Sequence, residues 1–482
     1  MEPLSKSLEE NLDWLKSSFG NTADCYTKKI RIAGVECAIC LMEGLGNLEK
    51  TWELLLKRIG IQPLLGMNGE KLFSYIMEKS DYPTDKLPVE SREDLVFRLT
   101  AGMTVILLDG CNKGFSLTTQ AMAYRSVSAP STEGNVRGSQ EGFTELVRVN
   151  VSLIRRLIRT TDLCVEYAQL GQRTRTEYAL CYNQKLVPPK LLEETKEKLK
   201  KAELPFLLDS AYLIPFLRRG PFHLFSGMGN TERPAVAAAK LCEGKIIILV
   251  NGSPFALILP TFFAEHFESL DDYSTTALFA STIRLLKYTG FFLAILLPAV
   301  YVTAVRFLPE AVPYQLLTTI AKGEADTPFP ITMEMLMVLV VLEIIREAGL
   351  RMPKQLGHSV SLVAAVIIGD TAVKAGIMSV PVIAVAAIAA IATYVIPSLY
   401  EQVTLLRFGF VLLGGYLGVA GLAAGLFVLV AMVCGDAQGY PYTYPIVPWD
   451  KGMVRDGIFR SSWKVLAKND YSLRDIKQED RH

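Results

Sequence analysis

Gly244-Lys-Ile-Ile-Ile-Leu-Val-Asn251-Gly252-Ser-Pro-Phe-Ala-Leu-Ile-Leu259 decides how this chain is divided. By hydropathy alone, the stretch 246–264 passes for a membrane span. The Asn-Gly-Ser-Pro in its middle argues against that, because a turn exposed to lipid leaves backbone groups unpaired. Asn-Gly tolerates the positive φ of a tight turn, so the stretch reads as a buried β-hairpin. The same grammar occurs earlier: Gly102-Met-Thr-Val-Ile-Leu-Leu-Asp109-Gly110 is followed after three residues by Gly114-Phe-Ser-Leu. Asp109, Gly110, Asn251 and Gly252 are the expected turn residues of a weak internal repeat.

Around these hairpins lie further soluble elements. Lys29-Ile-Arg-Ile-Ala-Gly-Val-Glu-Cys-Ala-Ile-Cys40 reads as one strand, followed by a helix from about Asn47 to Ile59. A polar loop from Ser126 to Gly142 precedes a helix containing Leu153–Ile158. Pro188-Pro189 opens another helix, ending near Glu203, whose Glu194–Lys198 and Glu197–Lys201 pairs suit an exposed face. Two related α/β subdomains meeting near 126–160 follow from this.

Charge then separates a second half. Of the 150 residues from Leu285 to Cys434 only 16 are Asp, Glu, Lys or Arg, whereas the other 332 are about a quarter charged, a normal soluble value. The charge-free runs are Tyr288–Val305, Gln355–Gly369, Ala375–Tyr400 and Phe408–Gly435. A span needs about 20 apolar residues, so the first, third and fourth read as spanning helices. Ile331–Ile345 is also apolar but carries Glu334 and Glu343. Tail residues such as Arg455, Arg460, Lys464 and Lys468 follow Gly435, and positive-inside bias sets them beside the soluble half in the cytoplasm. That requires an even number of crossings, so 355–374 is expected to be re-entrant or cavity-lining. The fold class is therefore an α/β cytosolic region of two related subdomains followed by an α-helical multi-pass membrane domain. Its divisions are 1–125, a linker and helix over 126–160, a second subdomain over 161–275, a membrane domain over 285–435 and a basic cytosolic tail over 436–482.

The net charge of +1 gives no nucleic-acid footprint. The N-terminus has no apolar core after a basic start, which argues against a signal peptide. Eight scattered cysteines read as free buried thiols in a reducing compartment. There is no phosphate-binding Gly-Lys-Ser/Thr loop and no Gly-x-Ser-x-Gly elbow, and His223, His266, His358 and His482 have no ligand spacing. Cys37-x-x-Cys40 on a strand points its thiols to opposite faces, and Asp271-Asp272 reads as helix N-terminal charge rather than a metal site. No catalytic residue, metal or cofactor is expected.

Ionisable groups at membrane depth face a bundle interior or water. In 359–374, Val363, Ile367 (or Val366), Asp370 and Lys374 recur at helical spacing, giving an apolar face with a charged end. A ring of such helices makes a hydrophobic constriction beside a ring of carboxylates, which suits cations. Glu334 and Glu343 are further pore candidates, nine positions apart on opposite sides of their helix, so at most one reaches the same lumen. The plain alternative is an internal Asp370–Lys374 ion pair. Gly414, Gly418, Gly421 and Gly425 allow close helix packing. Glu133, Arg137, Gly138, Glu141 and Glu145 combine charge with turn residues and read as an ordered contact surface between subdomains or protomers.

These residues also carry a resemblance. Glu133-x-x-x-Arg137-Gly138-x-x-Glu141-Gly142-Phe143-x-Glu145, Asn150-x-x-Leu-Ile-Arg155-Arg156, Thr231-Glu-Arg-Pro234 and Asn251-Gly-Ser-Pro-Phe255 resemble the A subunit of GerA-type bacterial spore germinant receptors. Leu297-Pro298-x-x-Tyr301, Pro328-Phe-Pro330, Arg346-Glu-Ala-Gly349, Pro353 and Ala372-Val-Lys-Ala-Gly376 extend it through the membrane half. Ala235 and Ala364 depart from the pattern, both by small residues. The resemblance implies a non-enzymatic subunit of a nutrient receptor in the spore inner membrane, with Asn150, Arg155 and Arg156 added to the contact candidates. It further implies a homo-oligomer, a pentamer, forming a nutrient-gated cation channel with a transporter-like B subunit and a lipoprotein C subunit. An accessory paralogue amplifying ion release has the same architecture. A secondary transporter is the rival from another class, but 285–434 contains no repeat of the kind it needs.

Overall fold

The computed structural model describes residues 2–59, 67–79, 85–120, 130, 133–134, 137–218, 224–325, 327–351, 371–449, 454–468 and 472–473. The first unit runs α1 (Leu8–Ser18), β1 (Cys25–Ile32), β2 (Val35–Met42), α2 (Leu48–Ile59), α3 (Gly69–Lys79), β3 (Lys86–Val89), α4 (Arg92–Thr100), β4 (Thr104–Leu108) and β5 (Gly114–Leu117). Its antiparallel sheet has the order β1-β2-β4-β5-β3. Alternation along β2 feeds two cores. Ala38 and Cys40 pack with Leu12, Leu15 and Leu99 on one face, and Cys37 and Ile39 pack with Leu72 and Ile76 on the other. The segment 29–40 is not one strand: Ala33 (φ 52°) and Gly34 (φ 87°) turn it into the β1–β2 hairpin.

The second unit runs α5 (Val147–Leu157), β6 (Leu163–Leu170), β7 (Thr176–Asn183), α6 (Pro189–Lys201), α7 (Ile214–Leu217), β8 (Gly229–Thr231), α8 (Pro234–Cys242), β9 (Ile246–Val250) and β10 (Ala256–Leu259). Its sheet order, β6-β7-β9-β10-β8, repeats the first one strand for strand. The hairpin turns do the same work in both. The Asp109 Oδ1 accepts from the Leu8 N–H (3.1 Å) at the start of α1, and the Asn251 Oδ1 accepts from the Val147 N–H (3.2 Å) at the start of α5. The glycine after each, Gly110 (φ 74°) or Gly252 (φ 96°), donates its N–H to Lys6 or Glu145. Three residues into each helix a buried asparagine, Asn11 or Asn150, closes a ring with the backbone of Ser5 or Thr144. Free donors at both helix starts are thereby satisfied.

A helical half follows: α9 (Leu270–Ser274), α10 (Ala277–Phe307), α11 (Tyr314–Ala325), α12 (Ile331–Arg351), α13 (Val380–Tyr394) and α14 (Tyr400–Val433). Among the described residues two helices, Ala277–Phe307 and Pro397–Val433, are long and apolar enough to cross a membrane. At 1.5 Å per residue α10 is about 46 Å long, more than the roughly 30 Å of a hydrocarbon core. Its first turns are therefore free to pack against the sheets.

The third and fourth apolar runs depart from expectation. The third forms only the 15-residue α13, with Pro381 in its first turn and Pro397 opening a 3₁₀ turn just past its end. In the fourth, Gly418 is non-helical (φ 63°, ψ −142°) and α14 folds back on itself. A Cβ on Gly425 would lie 2.8 Å from the Phe410 ring, and one on Gly421 2.7 Å from the Leu413 carbonyl carbon. On a straight helix those pairs would be about 22 and 12 Å apart. Two antiparallel arms with glycines between them are the only arrangement that brings them together. The glycine spacing is thus the seam of a helical hairpin, and Gly414 also meets Thr303 and Ala299 of α10.

Candidate functional site

Three polar assemblies are buried where apolar packing would have sufficed. The first clamps the two sheets together. Asp24 and Arg155 are both wholly buried, and their forked pair (Nε–Oδ2 2.7 Å, Nη2–Oδ1 2.8 Å) joins the start of β1 to α5. Arg155 also donates to the Leu163 and Thr160 carbonyls, at 2.9 and 3.2 Å. Ala23 N–H donates to the Val165 carbonyl, and Val165 N–H to the Thr22 hydroxyl, both at 2.9 Å. Arg148 bridges Glu43 of the first unit and Glu177 of the second. The planar guanidinium suits this bidentate geometry, and its remaining donors are engaged.

The second assembly joins the second sheet to α10. Lys245, wholly buried, and Lys240 both reach Glu265, and Lys240 also reaches Glu243 (3.1 Å) and Glu268 (3.5 Å). Burial alone would raise the Glu265 carboxyl, but the two lysines outweigh it and hold it at about 2. Glu268 has weaker cationic company, so burial dominates and lifts it to about 7. Burial also depresses His266, to about 4. Next to them Arg284 of α10 pairs with Asp272 (2.7 Å) and Asp456 (3.1 Å), and Tyr273 donates to Asp456 (2.9 Å). Asp272 with Ser269 caps α9, as its position suggested, and it is an ion-pair partner besides.

Of the stretch 436–482, expected as a basic tail, described residues enter this junction. Ala437, Tyr440, Tyr442 and Tyr444 are buried in one core with Phe262, Phe267, Phe291 and Leu429. Gln438 donates to the Leu217 carbonyl (2.9 Å) and accepts from Lys198 (2.7 Å). Arg460 is buried and donates to the Thr275 carbonyl (3.0 Å). That core runs without a break from the second sheet into α10, α12, α13 and α14.

The third assembly lies within the bundle. Glu343 pairs with Arg407 (2.7 Å) of α14 and Arg346 (3.0 Å), and accepts from Tyr400. Nine residues earlier on α12, Glu334 is wholly buried and accepts from the Ser379 N–H at the start of α13. Glu343 is paired inside the protomer, and one of the two Glu334 oxygens is engaged there. Lys374 follows the start of the described segment at 371, whereas Val363, Ile367 and Asp370 lie outside the described residues.

The contact candidates between 133 and 156 have partners within the chain. Glu133 accepts from the Thr231 hydroxyl (3.0 Å) and the Glu232 N–H (3.1 Å), and its carbonyl accepts from the buried Arg233. The two motif stretches therefore meet in space. The Arg137 N–H donates to Asp271 (2.9 Å) while its side chain is exposed, and Gly138 takes φ 102° against Leu270. Glu141 pairs with Arg156, Glu145 receives Gly252, and Asn150 holds Thr144. These are contacts between segments of one chain. Asp24, Arg233, Arg284, Asp456 and Arg407 were missed: each is a single charge whose partner is distant in sequence, and only Arg233, inside a quoted motif, carried any signal.

Among the described residues no group of three or more His, Cys, Asp or Glu is placed to hold a metal ion. All eight cysteines are free. Burial pushes Cys37 and Cys181 up to about 12, so these thiols are poor nucleophiles.

Residues 13–471 match the family described as Bacillus/Clostridium GerA spore germination protein. Spore germination protein KA of Bacillus subtilis (strain 168) is 34% identical, with 99% of this chain and 88% of that protein covered. Spore germination protein B1 of the same organism is 31% identical, with 96% and 97% covered. The crystal structure of the N-terminal domain of the A subunit of the Bacillus megaterium spore germinant receptor GerK3 matches with a TM-score of 0.42 and 26% identity, covering 54% of this chain and 98% of that one. The match over residues 13–471, nearly the whole length, makes this chain a member of the GerA spore germination protein family.

Proposed function

We propose that this chain is the A-type subunit of a nutrient-germinant receptor, a non-enzymatic membrane protein that oligomerises, as a pentamer, into a gated cation pathway. The observation that carries the reading is the junction. A single apolar core and a buried ionic network tie the second sheet to α10, so displacement of the soluble half must move the helices. Signalling across a membrane requires such a rigid connection between bistable parts.

In this reading the helical half spans the spore inner membrane. Glu343, Arg407 and Tyr400 mark the end of the bundle near the sheets, and Glu334, Ser379 and Gly418 mark the far end. Ala437, Tyr440, Tyr442 and Tyr444 pack in the core of the second sheet, which sets the end of the chain on the side of the sheets, the cytoplasmic side by positive-inside bias. The soluble sheets and the exposed Arg137 side chain are available for neighbouring protomers, and the transporter-like B and lipoprotein C subunits complete the receptor.

Val363 and Ile367 remain the proposed constriction, with Asp370 and Lys374 beside it. Spores carrying Val363→Ala or Ile367→Ala test the assignment. A widened constriction leaks cations from dormant spores without nutrient. Normal dormancy with a reduced amount of protein refutes the pore assignment.

A further inference from the structure

The two glutamates of α12 have opposite surroundings. Glu343 has two arginines within ion-pair distance. Glu334 has none among the described residues, although its side chain is wholly buried. One oxygen accepts from the Ser379 N–H at the start of the 15-residue α13, where the helix dipole favours negative charge. The other oxygen, Oε2, is buried without a hydrogen-bond partner.

A second orphan faces the same region. The Tyr301 hydroxyl of α10 is buried and unpartnered, and it lies within electrostatic reach of both Glu334 and Glu324. Gly323 packs against Ser379, with 3.1 Å from its Cβ position to the Ser379 Cβ, and the half-buried Glu324 is its neighbour in the chain. Arg306, the cation of α10 nearest the far end of the bundle, donates instead to the Thr332 hydroxyl (3.3 Å) and the Gly415 carbonyl (2.9 Å).

An ionised carboxylate in this position lacks a counter-charge, and a neutral one lacks an acceptor for its proton. Either state leaves a buried polar atom unsatisfied, which costs free energy unless something occupies the gap. We propose that Glu334 Oε2 and the Tyr301 hydroxyl bind a monovalent cation that enters from the far end of the bundle past Glu324. Carboxylate and hydroxyl oxygens are hard donors, suited to alkali and alkaline-earth ions. One fully buried carboxylate balances one positive charge, which selects the alkali class. The site deepens the cation-pathway reading but is read out by stability rather than by flux. Binding without flux overturns the channel and leaves the site standing.

The test uses the purified full chain in detergent and follows thermal unfolding in sodium chloride, potassium chloride or choline chloride at equal ionic strength. A ligand that binds only the folded state raises the midpoint with concentration. Sodium or potassium is expected to raise it and choline to leave it flat. Glu334→Gln is expected to abolish the difference, and the exposed Glu310→Gln to retain it. Tyr301→Phe, which keeps the ring, is expected to need several-fold more cation for the same shift. It carries the test together with Glu324→Gln if Glu334→Gln does not fold. An equal response in wild type and in the Glu334 or Tyr301 variants overturns the proposal. So does a response to choline, or a wild type indifferent to cations but stabilised by lowering the pH, which marks a protonated carboxyl instead.

Discussion

Asp24→Ala isolates the clamp between the two sheets. It removes both carboxylate oxygens from the wholly buried Arg155 and leaves the 2.7 and 2.8 Å bonds without acceptors. Truncating one partner of a buried pair costs about 3–5 kcal/mol, because the other charge stays uncompensated. At about 1.4 kcal/mol per factor of ten, sub-global opening at this contact becomes roughly 100- to 5,000-fold easier. Hydrogen exchange of the full chain in detergent reads this directly. Protection is lost at the two amides that cross the clamp, Ala23 and Val165. Interior amides of α14 keep their protection, since among the described residues that helix shares no hydrogen bond with Asp24 or Arg155. Pairing Asp24→Leu with Arg155→Met removes both charges and restores most of the protection, because apolar replacement of a whole buried pair is close to neutral. A loss under about 1 kcal/mol in Asp24→Ala, or a double variant as open as the single one, refutes the assignment of the clamp to this pair.

Gly421→Leu forces a side chain against Leu413 across the seam of α14 and is expected to abolish recovery of folded protein by size-exclusion chromatography. Gly409→Ala, with open space at its Cβ position, leaves recovery unchanged. Glu343→Ala strands the buried Arg407 and lowers the unfolding midpoint of the bundle, and adding Arg407→Met recovers it. The junction sets a pH dependence. Glu268, raised by burial to about 7, contributes stability below its ordinary value, and that contribution is lost as pH rises through about 7. Glu265, held at about 2, contributes stability above its ordinary value and loses it only as pH falls towards 2. Glu268→Gln therefore flattens the melting profile between pH 4.5 and 7 and raises the midpoint at pH 8, relative to wild type.

The hairpins around Asp109 and Asn251 were legible because Asx-Gly between two β-branched runs has a local physical meaning. The capping of α1 and α5 by the same two residues was not, since it depends on how far each turn reaches back across its sheet. The β1–β2 turn hid because Ala33 is not a turn residue and adopts φ 52° only beside Gly34. Gly418 hid for the opposite reason. A glycine in an unbroken apolar run reads as a packing surface, and no polar residue announces that the chain reverses there. Tyr440, Tyr442 and Tyr444 stand in a polar stretch, so their burial depends on the second sheet waiting for them. Long-range ion pairs such as Asp24–Arg155 and Arg284–Asp456 join residues 131 and 172 positions apart, and no local pattern encodes them.

The central claim is that the oligomeric bundle conducts cations under control of the soluble half. Current across a planar bilayer containing the purified full chain with Val363→Ala tests it most directly. Discrete, cation-selective currents are expected from the widened constriction, and a quiet bilayer from the wild-type chain. Silent bilayers with the variant demonstrably inserted and oligomeric contradict it.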